Sequence, residues 1–200
     1  MYWFKYYHRP FIDYFVFQDI KKELNEASIE FKNNGKMAWI PPEGWLNANA
    51  PKCHAWLQSS TRYPIKFTRF HMTPPKGRLN IHVDGTLENP RRYALNIPVA
   101  YTEDAPMKWY DFSDKRNWKN DYVEPRDQLY NAKGGVPVDE SKCEVVDETC
   151  IDWPTFVRTD IPHSIDNPHY DTRIILSVRF DCDYVIELKD LIPSRLQVQA

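Results

Sequence analysis

No Cys-x-x-Cys pair occurs in these 200 residues; Cys53, Cys143, Cys150 and Cys182 are scattered along the chain. That spacing excludes structural zinc held by paired thiolates. With no secretion signal to favour disulfides, four free thiols, mostly buried, are expected. An excess of charge of one sign is also lacking: 26 Lys and Arg against 28 Asp and Glu leave −2, with both signs dispersed. A phosphate backbone would find no electrostatic footprint here, so nucleic acid is not an expected partner. Long apolar runs are missing too. The opening MYWFKYYHRPFIDYFVF is aromatic, but Lys5, His8, Arg9 and Asp13 interrupt it and no small-residue cleavage site follows. It reads as neither signal peptide nor membrane span, which predicts a cytoplasmic protein with no membrane partner. There is no internal repeat.

What is present is an ordinary globular composition, 42% hydrophobic and 27% charged. A chain of this length buries roughly 70% of its unfolded surface in one core, so a single domain over 1–200 is expected. Residues 1–62 read as an N-terminal arm and helix. The first seventeen residues form either an aromatic edge strand or arm packed on the body, or an interface arm. In QDIKKELNEASIEFKNNG, Ile20, Leu24, Ala27 and Phe31 recur at helical spacing and Asn34-Gly35 supplies a stop. From residue 37 onward prolines recur and apolar runs are short, the texture of a sandwich or barrel of brief strands. Candidate strands are YPIKFTRFHM, RLNIHV, RRYALNIPVA, PMKWYDF, TFVRTDI and TRIILSVRF. They place a mostly β core over 63–180. Residues 113–150 are polar and without period, reading as a long excursion that is either solvated or a flap over a pocket.

Two His-x-Asp tripeptides stand out, His82-Val83-Asp84 and His169-Tyr170-Asp171. With six histidines and 28 acidic residues, about one such pattern arises by chance, so the tripeptide alone says little. Context separates them. A non-haem Fe(II) site takes two imidazoles and one carboxylate on one face of the metal. Residues i and i+2 of a strand point to the same side, so one strand supplies a chelating pair. His163, 81 residues beyond His82, leaves enough chain for strands to cross and return as the third ligand. No histidine follows His169, and His163 is so near it that the whole site would have to fit one turn; His169 and Asp171 read as surface loop. Arg173 lies ten residues past His163 at the head of RIILSVRF, where alternation puts Arg173, Ile175, Ser177 and Arg179 on one face. A guanidinium fork there suits the far carboxylate of an α-keto dicarboxylate chelating the metal.

The order and spacing of these residues resemble the Fe(II)/2-oxoglutarate-dependent dioxygenase superfamily, whose pattern is His-x-Asp/Glu, a distant His, then an Arg about ten residues on. FTRFHMTPPKGRLNIHVDG, RRYALNIPV and IPHSIDN resemble segments of its aspartyl/asparaginyl hydroxylase-like and prolyl-hydroxylase-like branches, over roughly residues 63–180. Aspartyl/asparaginyl hydroxylases proper lack the carboxylate ligand, which this chain has in Asp84. The resemblance implies a double-stranded β-helix, a cupin-like jelly roll. It implies His82, Asp84 and His163 as Fe(II) ligands, and Arg173 as the partner of 2-oxoglutarate, with O2 as second co-substrate. Tyr93 and Asn96 fall where related enzymes place co-substrate contacts, or else serve packing; Arg179 either assists the co-substrate or forms a structural ion pair. The implied activity is hydroxylation of a small molecule, amino acid or peptide side chain. Two rivals keep the jelly roll: a cupin-like isomerase or hydrolase without 2-oxoglutarate, and a non-enzymatic binding module. Oligomeric state is not legible.

Overall fold

The computed structural model describes residues 6–32, 37–85, 91–112, 135–181, 188–191 and 193. Its strands are β1 (Tyr7–His8), β2 (Ala38–Trp39), β3 (Ile65–Thr73), β4 (Arg78–Asp84), β5 (Tyr93–Ala100), β6 (Pro106–Phe112), β7 (Gly135–Pro137), β8 (Cys143–Cys150), β9 (Thr155–Arg158), β10 (His163–Asp166) and β11 (Arg173–Phe180). They form two antiparallel sheets, ordered β1-β9-β5-β11-β3-β2 and β7-β4-β10-β6-β8. From β3 to β6, and again from β8 to β11, every successive strand crosses to the other sheet. That winding is the jelly roll expected from the sequence.

Strand alternation decides what each face meets. On β11, Ile174, Leu176, Val178 and Phe180 enter a core shared with Phe17, Ile20, Leu24 and Leu57. These last four come from α1 (Tyr14–Ala27) and α4 (Pro51–Ser60), which cover the outside of the larger sheet. Ile175 points the other way and joins Met107, Trp109, Val157 and Ile165 between the sheets. Each such fully buried side chain stabilises the fold by about 1.5–3 kcal/mol, so the two cores together fix which face of β11 is internal.

α1 starts four residues before the predicted run. Asp13, in extended conformation, accepts from the N–H groups of Phe15 (2.9 Å) and Val16 (3.2 Å), a cap worth about 1 kcal/mol. Ser28 ends it, and α2 (Ile29–Lys32) adds one further turn. The Asn34-Gly35 stop lies outside the described residues. Tyr6 and Tyr7 pack on the body of the domain, where β1 pairs with β9 and the two rings stack on Trp109 at 5.9 and 5.6 Å, while Phe11, Tyr14 and Phe15 are exposed and residues 1–5 lie outside the described residues.

Three expectations are corrected. Residues 45–60, read as β texture, form α3 (Trp45–Asn49) and α4. Pro51 does not oppose this, because it occupies the start of α4, where its missing N–H would be unpaired anyway. The polar excursion contains β7 and β8, and β8 pairs along its whole length with β6. β8 is an edge strand exposed on much of its surface, so no apolar alternation betrays it; residues 113–134 lie outside the described set. Cys53, Cys143 and Cys150 are free as expected, but only Cys53 is buried. No helix among the described residues is long and apolar enough to cross a membrane.

Candidate metal centre

β4 and β10 are antiparallel neighbours, and His163 stands directly opposite His82. The pairing then slips: Ile165 faces Leu79, so Asn80 and Ile81 share the space opposite Ser164. This bulge matters because residues 79 and 82 of a regular strand point to opposite faces, whereas here both line the interior. The bulge also orients the ligand. Nδ1 of His82 lies 2.8 Å from the Asn80 carbonyl, and Nδ1 of His163 lies 2.9 Å from that of Ile161. A carbonyl only accepts, so each Nδ1 carries the proton and each Nε2 presents a bare lone pair.

These lone pairs converge with a carboxylate. Nε2 of His82 is 3.5 Å from Oδ1 of Asp84, and the two imidazole rings are 4.4 Å apart at 50°. One donor atom from each of His82, Asp84 and His163 lies within 4.8 Å of the others. Burial, then repulsion from His82, pushes the His163 imidazole down to about 3, which keeps it neutral and able to ligate at pH 7. Burial alone would raise the Asp84 carboxyl; the Arg179 guanidinium and the nearby imidazoles more than offset this and hold it well below the usual range. A carboxylate and two imidazoles oriented by backbone carbonyls are a donor set suited to Fe(II), so the residues present fit the implied metal.

Arg179 reaches Oδ2 of Asp84 with Nη2, and with Nη1 donates to Thr159 Oγ1 (2.7 Å) and the Tyr93 carbonyl (3.2 Å). Of its two expected roles, it takes the ion pair. Arg173 is its opposite. It is completely buried, and none of its three guanidinium nitrogens has a hydrogen-bond partner among the described residues. Burial pushes its pKa down to about 10, so it is still a cation at neutral pH. A buried cation of this kind destabilises the fold unless an anion joins it.

His82, Asp84, His163, Asn96, Arg173 and Arg179 line one inner recess of about 30 Å³. Asn96 lines the recess; its Oδ1 is buried with no hydrogen-bond partner among the described residues, and Ser177 stands across the ladder from it. Tyr93 does not line it. Its ring packs in the outer core with the helices, and only its carbonyl serves the site, through Arg179. Tyr93 and Asn96 are three positions apart, so a regular strand sends them to opposite faces. His169 and Asp171 stay on the loop after β10, where the Asn167 amide ties Thr73, Pro74 and Asp171 together through their carbonyls.

The recess opens into a chamber of about 270 Å³ that shares His71, Leu79, His82, Asp84 and Ile165 with it and adds Met37, Arg69 and Met72. His71 and Arg69 were missed in the sequence, although alternation in FTRFHM places both on one face of β3. Burial pushes His71 down to about 3, so it too is neutral. Arg69 is lowered by burial and then by repulsion from Arg91 and Arg179.

No family model and no curated protein sequence matches the chain. Solved structures do. HygX from Streptomyces hygroscopicus, with nickel and 2-oxoglutarate bound, superposes with a TM-score of 0.50 at 10% identity, covering 86% of this chain and 80% of that one. SnoK, the non-heme α-ketoglutarate-dependent carbocyclase of nogalamycin biosynthesis, gives 0.48 at 14% identity, over 87% and 79%. A Pseudomonas putida prolyl-4-hydroxylase gives 0.44 at 12%, over 87% and 90%. At such identities the likeness to HygX speaks to architecture alone, and with the sheet order above it establishes that this chain has the double-stranded β-helix fold found in Fe(II)/2-oxoglutarate oxygenases.

Proposed function

We propose that this chain is an Fe(II)- and 2-oxoglutarate-dependent oxygenase that hydroxylates a small molecule, an amino acid or a peptide side chain. One observation carries the reading: a two-histidine, one-carboxylate donor set and a buried guanidinium without a partner line the same recess. Arg173 favours this reading over a cupin-like hydrolase or a binding module because 2-oxoglutarate brings a carboxylate to it.

His82, Asp84 and His163 would hold the iron, each imidazole kept in the ligating tautomer by its carbonyl. Arg179 leaves Asp84 one oxygen for the metal by engaging the other. Arg173 would bind the far carboxylate of 2-oxoglutarate from the recess it shares with the three metal ligands. Asn96 lies where it would accept or donate a hydrogen bond to the same molecule. When bound, the iron couples O2 reduction to decarboxylation of 2-oxoglutarate and to oxidation of a substrate C–H bond. The chain contributes geometry, charge compensation and a wall of Met72, Leu79 and Ile165 that excludes water.

Anaerobic addition of Fe(II) and then 2-oxoglutarate tests this through the visible charge-transfer band of the chelate. Wild type should show the band and His82→Ala should not. An unchanged His82→Ala spectrum would reject the ligand assignment, and metal binding with no band at any 2-oxoglutarate concentration would reject the co-substrate.

A further inference from the structure

β3 has an outer edge that β2 covers only in part. β2 pairs with β3 at His71 and Phe70, and on the same side Met72 N–H donates to the Met37 carbonyl (2.9 Å). Residues 65–69 have β11 on one side and no strand on the other among the described residues. In an antiparallel strand the N–H and C=O of one residue point to the same neighbour, and those of the next residue point the opposite way. The register of β3 against β11 is unbroken from Thr73 to Phe67, so Phe70 and Thr68 turn their backbone groups to the side that Met72 does. Continuing the β2 pairing would bring Pro41 opposite Thr68. Proline has no N–H to give, and the chain leaves the sheet at Pro41-Pro42 on its way to α3. Among the described residues nothing hydrogen-bonds to the outward N–H or C=O of Thr68. A groove of about 520 Å³ stands there instead, lined by residues 65–68 of β3, by Pro41, Pro42 and Leu46, and by His54 of α4.

We propose that this edge of β3 binds an extended polypeptide as a further strand, and that such a polypeptide is the prime substrate. An open strand edge beside a groove offers a donor and an acceptor that another extended backbone matches. The groove also leads to the metal position. It takes residues 65–68 of β3, and the chamber begins at the next residue, with Arg69 and His71 and with Ala38 of β2. Phe67, Arg69 and His71 share one face of the strand. A peptide residue opposite Phe67 would therefore project its side chain to that face, towards the chamber that reaches His82 and Asp84. Backbone pairing supplies affinity with little demand on sequence, while the chamber, about 270 Å³, selects the side chain that enters it. Lys66, half exposed on the same stretch, puts a charged side chain on the edge and so opposes pairing with a second copy of this chain. That the peptide is a substrate rests on the oxygenase reading; that the edge of β3 takes a strand does not.

A phage-displayed library of random peptides, selected on the protein with Zn(II) and 2-oxoglutarate, supplies the probe, and the tightest binder is synthesised. Its affinity should fall about tenfold or more in Thr68→Pro, which puts a ring where the outward N–H was and leaves the bonds to β11 in place. Thr68→Ala keeps the backbone and should change affinity by less than about twofold. N-methylation of the peptide, one residue at a time, needs no protein variant; affinity should be lost at alternate positions. Amide exchange at Thr68 should slow when the peptide binds, and with Fe(II) and O2 the peptide should raise succinate release above the peptide-free rate. A library that yields no binder, equal affinity for wild type and Thr68→Pro, or N-methyl effects that do not alternate overturns the strand addition. So does a dimer of the free protein that Thr68→Pro dissolves, which would assign the edge to a second copy. A peptide that pairs with the edge yet leaves succinate release unchanged overturns the substrate assignment. If 2-oxoglutarate gives no charge-transfer band while the Thr68 dependence persists, the oxygenase reading falls and the peptide edge stands.

Discussion

Asp84 turns its two carboxylate oxygens to different partners: Oδ2 takes Nη2 of Arg179, while Oδ1 faces Nε2 of His82 across 3.5 Å. The side chains are 18% and 9% exposed, so little water is available to replace either partner. Arg179 thus makes Asp84 a ligand with one available oxygen, and it neutralises the carboxylate before metal arrives.

Arg179→Leu should therefore destabilise the metal-free protein by about 3 kcal/mol, the usual penalty for stranding one member of a buried pair. Metal should recover part of that loss by taking over the neutralising role. Urea unfolding with and without Zn(II) measures both, and equal losses in the two states would show that Arg179 does not support Asp84.

Arg173 behaves in the opposite sense. Its pKa, lowered by burial to about 10, corresponds to a folding penalty on the order of 3 kcal/mol at neutral pH, because the folded state holds the charge without compensation. Arg173→Met should raise the stability of the ligand-free protein by about 1–3 kcal/mol while weakening 2-oxoglutarate on the order of 100-fold. Metal affinity should stay the same. A stability that falls instead would mean the guanidinium is compensated.

How far the sequence discloses the site follows from which strands have two distinct faces. RIILSVRF alternates cleanly, so Arg173 and Arg179 were correctly assigned to one side. Their different fates, one bare and one paired with Asp84, depend on a residue 95 positions from Arg179 and on no local pattern. β5 is buried along all eight residues, so polarity does not tell its faces apart, and for Tyr93 and Asn96 alike the sequence leaves a co-substrate contact and packing both open; the parity of 93 and 96 is what separates them. The bulge at Asn80-Ile81 is set by the register of β4 against β10, which no single strand encodes. His71 and Arg69 escaped notice because their roles appear only once β3 closes against the ligand strands.

Gly77, in the turn between β3 and β4, is a position where size is decisive. A Cβ there would lie 2.6 Å from Pro74 Cγ and 2.8 Å from the Pro74 carbonyl oxygen, so backbone would have to move. The turn has little slack. Gly77 N–H donates to Pro74 (2.9 Å), its carbonyl accepts from Asn167 N–H (2.9 Å), and the Asn167 side chain holds Thr73 and Pro74. Gly77→Ala should cost about 1–3 kcal/mol in urea unfolding; a change below about 0.5 kcal/mol would show that the turn yields.

His8 provides a pH test remote from the metal position. It lies on β1, opposite Phe156 of β9, and burial pushes its imidazole from 6.5 down to about 4. Above 6.5 neither the folded nor the unfolded state protonates it, and its contribution to stability is constant. As pH falls from 6.5 towards 4, the unfolded chain takes up a proton that the folded chain refuses, so stability declines, with a limiting slope of about 1.4 kcal/mol per pH unit for one proton. Below 4 both states bind the proton and this group adds no further loss. His71 and His163, each pushed to about 3, contribute slopes of the same sign, so wild type alone does not isolate His8. The difference between wild type and His8→Gln, both metal-free, does: it should change with pH between 6.5 and 4 and be flat above 6.5. A difference independent of pH across that window would mean that the folded chain takes up the proton as readily as the unfolded one, and that burial does not hold the imidazole neutral.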